Sequence, residues 1–427
     1  MKTLIKSLKF SGYKAFEKEV LINFETNKNK YNFKESVRDF KTQDGVFHYN
    51  NHLGFIGPNA SGKTSILTIL KLYRVFLEQG VNGLKSGLFN PFTGNLDPIT
   101  VALNKHDFNK NSDYLKIELE LVNEEFIIKH QIKIKNNFKF SEEVDIKKTK
   151  NKNMIWENIF KKEFDDDIDF ISYSNFINSS SNNNIAKLEK KEETKKIADS
   201  LKNLMNGIIF FTSQISSIFW INEFTDFLFS NEANDEIINK MKNFIEVVAK
   251  NIDSKIKGVE IKRVIQNQTK TFAFDFILND NQLIPYYAIS EGTWKIIGMF
   301  VRLYLLKLNK RNYWYFLFDE IDNSWHPNLT RIFLRLIKSN LFENTVFLLT
   351  FHNPYIAEEI RQDSLYLILQ NQEVSNWIDQ IKIFNEGKNN KTLRLSTNFA
   401  NKYLDEVICS GPENFKADTI FELFDKE

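Results

Sequence analysis

Four short stretches carry residues whose types and spacing suit chemistry on a phosphate. The first is GPNASGKTS, residues 57–65, which follows the apolar run LGFI. Gly57, Gly62, Lys63 and Thr64 fit G-x-x-x-x-G-K-[ST]. Glycines let the backbone curl so that successive N–H groups face a phosphate, and a following helix adds its positive N-terminal end. Lys63 would bridge the β- and γ-phosphates of ATP and the Thr64 hydroxyl would ligate Mg²⁺, with Asn59, Ser61 and Ser65 as further nucleotide contacts. The second stretch is YWYFLFDEIDNSWHP, residues 313–327, an apolar run that ends in Asp319 and Glu320. Asp319 would hold Mg²⁺ through water, and Glu320 would orient and deprotonate an attacking water. The third is NTVFLLTFHNP, residues 344–354, with His352 where a γ-phosphate sensor is expected. The fourth is ISEGTWKIIGM, in which Ser290, Glu291, Gly292 and Thr293 open a helix that Ser290 can cap. An isolated acidic pair, a lone histidine or a capped helix is ordinarily structural. Their order behind a phosphate loop changes that weighting.

These residues need particular elements to hold them. HLGFIG reads as a short buried strand and KTSILTILKLYRVFL as a helix reaching about Glu78. The runs at 313–320 and 344–351 are uninterrupted and apolar, as parallel strands covered on both faces are. The carboxyl ends of such strands are where an α/β sheet presents its ligand residues. Looser alternation at 3–13 and 19–25, and better alternation at 114–122 and 125–135, predicts antiparallel pairs. From 136 to 263 the pattern shifts to charged, Asn-rich segments around helical stretches at 185–205 and 234–252. The tract NSSSNNN at 178–184 reads as a loop, and the acidic cluster at 165–169 reads as a solvated loop. No heptad pattern is sustained, so no long coiled coil is expected.

Bulk composition excludes several classes. Net charge is +2 over 427 residues, so no global field advertises a nucleic-acid partner. The single cysteine, Cys409, rules out an intrachain disulfide framework and a cysteine-based zinc site. The opening MKTLIKSLKF lacks the apolar core of a signal peptide. The aromatic run at 207–229 has the length of a membrane span, but Asn222, Glu223 and Asp226 are costly in hydrocarbon. It reads as a buried or interface helix, and the chain as cytoplasmic with no membrane partner.

In order and spacing, these motifs resemble the ABC-type ATPase fold, in its SMC/RecF/OLD-like branch. ISEGTWKIIGM stands where that family has its signature motif, DEIDNSWHP looks like its acidic strand and D-loop, and TFHNP matches its switch histidine. FSGYKAF resembles the family's opening strand, with Lys14 at the basic position that reaches the nucleotide. The nearest likeness is to RloA/AbiL-like ATPases of bacterial defence islands. The resemblance implies an α/β P-loop ATPase head with a mixed sheet and an antiparallel β subdomain, plus a mainly helical insertion. The implied division is 1–135 and 264–427 for the two parts of the head and 136–263 for the insertion. It also implies ATP and Mg²⁺ as cofactors, and a homodimer or higher homo-oligomer in which Ser290 and Gly292 of one subunit complete the ATP site of another. The signature reads SEGT rather than LSGGQ, and only Gly292 keeps the second glycine.

Three functions compete. One is a regulatory ATPase of an anti-phage system that controls a separate effector, of nuclease or Toprim type. The second is a repair or recombination ATPase that clamps DNA directly. A transporter subunit is disfavoured, because transporter subunits use a compact helical insert where this chain has the whole stretch between Lys63 and Ser290. The tail after His352 carries no convincing metal-carboxylate set, which places any nuclease on another chain.

Overall fold

The computed structural model describes residues 2–27, 34–43, 45–86, 102–148, 155–162, 191–212, 224–225, 227–229, 234–266, 269–308, 314–322, 327–339, 342–369 and 377–380. The 165–169 cluster, the 178–184 tract and the tail beyond 380 lie outside the described residues.

Strands β1 (Thr3–Ser11) and β2 (Val20–Asn23) pair antiparallel, as expected. The hairpin of β3 (Val37–Thr42) and β4 (Gly45–Asn50) precedes β5 (His52–Ile56), which is buried throughout and leads into α1 (Lys63–Ser86). The next strands are β6 (Tyr114–Asn123), β7 (Phe126–Lys135), β8 (Phe140–Lys148) and β9 (Glu157–Lys162). They extend the first pair into a six-stranded antiparallel sheet of order β2-β1-β6-β7-β8-β9. Strand β7 alternates strictly between buried and half-buried residues, the signature of a sheet with one face on the core.

Helix α2 (Lys191–Gly207) passes directly into β10 (Ile208–Thr212), and α3 (Asp235–Ile252) follows. Strands β11 (Ile256–Gln266), β12 (Thr269–Leu278) and β13 (Leu283–Pro285) form a three-stranded antiparallel sheet. Helix α4 (Glu291–Leu308) leads to β14 (Trp314–Asp319), then α5 (Pro327–Lys338), β15 (Thr345–Phe351) and the single turn α6 (Pro354–Ala357). Strands β16 (Leu365–Leu369) and β17 (Trp377–Gln380) close the described chain. The central sheet has the order β10-β14-β15-β5-β16-β17, parallel except for β17. The architecture is mixed α/β, a mostly parallel central sheet beside an antiparallel subdomain.

Two-sided burial explains why β14 and β15 read as unbroken apolar runs. Tyr315, Leu317, Val346 and Leu348 join the cluster that contains α1 and the antiparallel sheet. Their neighbours Phe316, Phe318, Phe347, Leu349 and Phe351 join a second cluster with α4 and α5 on the opposite face. Helix α1 lies between the two sheets and is apolar nearly all round, from Ile66 to Leu77, as a fully buried helix must be. Each such side chain contributes about 1.5–3 kcal/mol when removed from water. One polar chain crosses this core. Tyr73 donates from its hydroxyl to His130 Nδ1 at 2.6 Å, and His130 Nε2 donates to Glu142 at 2.8 Å, joining α1 to β7 and β8.

Three expectations need correction. Residues 208–212, expected within a helix, form β10, a strand parallel to β14; its β-branched and aromatic residues favour extended structure. Helix α1 runs past Glu78 to Ser86, with a break at Gly80, because apolar residues at Val81 and Leu84 keep it on the core. The 136–263 stretch, expected to be mainly helical, also sends strands into all three larger sheets. Among the described residues no helix is long and apolar enough to cross a membrane.

At the amino ends of the parallel strands the hairpin caps α5. Arg38 donates to the carbonyls of Lys338 and Ser339 at 2.8 and 2.7 Å, and Asn51 to that of Ile337 at 2.6 Å. A cation suits a helix carboxyl terminus, where carbonyls lack helical donors. His52 is buried beside this cap, with Nδ1 2.9 Å from Asn51 Oδ1. Burial first, then the charges of Lys338, Arg38 and Arg361, push its pKa down to about 3. Below the ordinary histidine pKa of about 6.5 the unfolded chain therefore takes a proton that the folded chain refuses, and stability falls with pH until about 3. Urea unfolding at pH 6, 5 and 4 should show wild type losing up to about 1.4 kcal/mol per pH unit more than His52→Gln. Equal pH slopes for the two proteins would contradict this account of His52.

Candidate functional site

The loop between β5 and α1 has no room for side chains at its two outer glycines. A Cβ on Gly57 would lie 2.7 Å from the Ile368 carbonyl oxygen and 2.8 Å from Ser61 Oγ. One on Gly62, whose φ is +105°, would lie 2.7 Å from the ring of Phe16. Phe16 in turn meets Phe10 edge-on at 5.3 Å, so the opening strand is packed onto the loop. Lys14 sits two residues away in the same turn, its backbone N–H donating to the Asp107 carbonyl at 2.6 Å and its ammonium 3.5 Å from the Asp107 carboxylate. Asn59 and Thr64 are exposed, whereas Ser61 and Ser65 are buried.

Lys63 folds back over the loop, donating to the carbonyls of Gly57 and Pro58, both at 2.8 Å. Burial lowers its pKa to about 8, against the opposing pull of Glu320, Asp319 and Asp322. Thr64 donates to both carboxylate oxygens of Asp319, at 3.2 and 3.0 Å, and so joins the phosphate loop to the end of β14. Asp319 is 7% exposed, and its pKa is raised chiefly by burial, a shift that hydrogen bonds from Thr350 and Thr64 oppose. The Thr64 hydroxyl and the Asp319 carboxylate are hard oxygen donors that fit Mg²⁺, which takes one or two carboxylates and completes its shell with phosphates and water. Among the described residues no group of three or more His, Cys, Asp or Glu gathers as a metal cage. A cation here would lean on those two side chains and the nucleotide.

Glu320 follows at once and leaves strand geometry, with φ +53°. Its carboxylate lies 3.8 Å from Nε2 of His352. Asp322 accepts hydrogen bonds from the backbone N–H groups of His352 and Asn353 at 2.8 and 2.7 Å. Residues 323–326 of the D-loop-like stretch lie outside the described residues. The structure thus brings Lys63, Thr64, Asp319, Glu320 and His352 to the carboxyl ends of three adjacent parallel strands. Such a constellation can hold a polyphosphate and aim a water at it.

Ser290 and Gly292 lie at the start of α4. The exposed Ser290 caps α4, its Oγ accepting from the Thr293 N–H at 3.1 Å and lying 2.7 Å from the Thr293 hydroxyl. Trp294 anchors this turn, stacked on Tyr286 at 4.8 Å and meeting Phe274 and Phe276 edge-on at 5.2 and 6.0 Å. Among the described residues no hydrogen bond or ion pair joins Ser290 or Gly292 to the phosphate loop.

Three participants escaped the sequence reading. Thr350 donates to Asp319 at 2.5 Å and accepts from the Glu320 N–H at 2.8 Å. Its signal was available as the one hydroxyl in the apolar run VFLLTF. Asp322 was visible beside the acidic pair without an assignable role, and nothing local marked Phe16.

Comparison with known proteins bears on what the site does. Residues 53–358 match the family described as an AAA domain, putative AbiEii toxin, Type IV TA system. The matched stretch runs from the strand before the phosphate loop to just beyond His352. The chain belongs to this family. It is an ATPase, and nucleotide use follows from that membership. No curated protein matches the chain. Among solved structures it is similar to an Smc head bound to the C-terminal winged-helix domain of ScpA, at 13% identity and TM-score 0.47 over 88% of this chain and 96% of that one. A Smc head with an extended coiled coil, bound to a ScpA C-terminal domain derived from Pyrococcus furiosus, shows 13% identity and TM-score 0.44 over 95% and 99%. The SMC head domain of Thermotoga maritima shows 14% identity and TM-score 0.40 over 89% and 99%.

Two substitutions test the site. Lys63→Ala should weaken ATP binding by about 1.5–3 kcal/mol or more, because charge-assisted contacts are of this size. Calorimetry on a folded variant with wild-type affinity would remove Lys63 from the phosphate site. Glu320→Gln keeps shape and hydrogen bonding but cannot take a proton. It should bind ATP normally while turnover falls by about 10²–10⁴-fold, and turnover within a few-fold of wild type would mean another base.

Proposed function

We propose that the protein is a regulatory ATPase of a bacterial anti-phage system, of abortive-infection or toxin–antitoxin kind, which controls a separate effector through ATP-dependent self-association. Lys63 and Thr64 hold the phosphates with Mg²⁺, Asp319 supports the cation, Glu320 acts as general base and His352 senses the γ-phosphate. Lys14 approaches the nucleotide from the turn that Phe16 packs onto the loop. Asn59, Ser61 and Ser65 belong to the same cradle. The family's description as a putative toxin of a type IV toxin–antitoxin system supports the defence setting, and the RloA/AbiL-like resemblance of the motifs agrees with it.

The observation that supports the self-association reading is that, among the described residues, Ser290 and Gly292 make no hydrogen bond or ion pair with the phosphate loop. The proposed hydrolytic residues converge on one set of strand ends, whereas the exposed Ser290 and half-buried Gly292 sit at the cap of α4 with its own supports. An exposed cap presents N–H groups and a hydroxyl suited to an anion held by another subunit. In this reading two chains sandwich ATP, and hydrolysis releases them. A change of about 1–3 kcal/mol between states would alter effector affinity roughly 5–150-fold. A second reading, an ATPase that clamps DNA directly, draws on the basic runs at 131–140 and 147–153.

Light scattering after size exclusion separates these readings, using Glu320→Gln to retain ATP and the neighbouring gene product as candidate effector. ATP should convert monomer to dimer, and Ser290→Arg added to Glu320→Gln should abolish the dimer while leaving ATP binding intact. The effector should co-elute in one nucleotide state only. A monomer at saturating ATP, or effector binding indifferent to nucleotide, would overturn the proposal; ATP-dependent DNA binding without a protein partner would favour the clamp.

A further inference from the structure

The Thr350 hydroxyl is fully buried near the end of β15, in a strand whose other side chains from Val346 to Phe351 are apolar. Valine would fill the same space, so packing alone does not call for threonine. A hydroxyl has one proton to give and two lone pairs. Here the proton goes to Asp319 Oδ1 at 2.5 Å, and a lone pair receives the Glu320 N–H at 2.8 Å. One side chain therefore touches both consecutive acidic residues, the first through its carboxylate and the second through its backbone.

The second contact acts at an unusual backbone conformation. Glu320 has φ +53°, a left-handed conformation that non-glycine residues adopt rarely and only where the surroundings hold them. Continued strand geometry would place residue 320 on the same face as Phe318, toward the apolar cluster on that side of the sheet. The left-handed turn instead brings its carboxylate to 3.8 Å from His352. Three groups maintain the turn: the Thr350 hydroxyl on the Glu320 N–H, the Thr350 carbonyl on the Ile321 N–H at 3.1 Å, and Asp322 on the N–H groups of His352 and Asn353. The hydroxyl is the member of this set that also reaches Asp319.

We infer that Thr350 is a positioning residue for ATP hydrolysis, one that orients Asp319 and turns Glu320 out of the strand so that base and switch histidine face the same space. This rests on the reading of Glu320 as general base. Thr350→Val preserves shape and removes both hydrogen bonds. A misplacement of about 1 Å costs roughly 10²-fold in rate, so turnover should fall by about that factor. Equilibrium ATP affinity, read by calorimetry with Glu320→Gln added to suppress turnover, should stay within about threefold, because the loss falls on the reaction rather than on binding. Thr350→Ser keeps the hydroxyl and should restore turnover to near wild type. If circular dichroism shows the valine variant unfolded, Thr350→Ala serves in its place.

Wild-type turnover in a folded Thr350→Val protein would overturn the inference. So would ATP affinity lost in step with turnover, or a folded Thr350→Ser protein as slow as the valine variant. Failure of the underlying reading shows elsewhere: Glu320→Gln would then still hydrolyse ATP.

Discussion

The buried carboxylate of Asp319 is the constraint on which the site depends. A carboxylate out of water is costly unless donors reach it, and burial here works against its ionised form. The donors come from two directions: Thr64, the first turn of the helix behind the phosphate loop, and Thr350, the end of the neighbouring strand. Satisfying one acidic side chain therefore draws β14, β15 and the β5–α1 junction into register at their carboxyl ends. The same contacts give the site its stiffness, because a partly satisfied buried network would be less stable than none.

Stiffness at that end is matched at the other. Arg38, Asn51 and the β3–β4 hairpin satisfy the last carbonyls of α5, the helix between the acidic strand and the histidine strand. Both ends of the β14–α5–β15 unit are thus tied by polar contacts, while its faces are tied by aromatic packing such as Phe318 on Phe333 at 5.6 Å. Helix α4 is held differently. Ile296, Met299, Phe300 and Leu303 pack on the central sheet, and Trp294, Ile297 and Val301 on the three-stranded sheet and α3. One helix thus has two apolar faces, and Trp294, four residues beyond Ser290, ties the cap to the smaller sheet.

Much of this was legible from local sequence. The phosphate loop shows because its chemistry demands particular residues at fixed spacing within one turn of chain. Strands β5, β14 and β15 show because two-sided burial keeps them almost wholly apolar, with Thr350 the exception inside the β15 run. The antiparallel pairs β1–β2 and β6–β7 show because a sheet with one covered face alternates. The 208–212 segment misled for a related reason: aromatic and β-branched residues without periodicity suit a buried strand and a buried helix alike, and the place beside β14 decided between them.

By itself, then, the sequence determined the phosphate loop, the acidic strand end, the position of His352 and the broad α/β class, because each follows from residue type and short-range spacing. Only the tertiary structure decided how the acidic residues are aimed. Thr350 meets Asp319 and Glu320 across 31 and 30 residues of chain, Phe16 closes on Gly62 from the turn after the opening strand, and Asp322 reaches the backbone of His352. These are contacts between strand ends that neighbour one another only after the sheet has formed. Apart from the Asp319 carboxylate, their partners are backbone groups and the bare backbone of Gly62, which leave no pattern in a sequence.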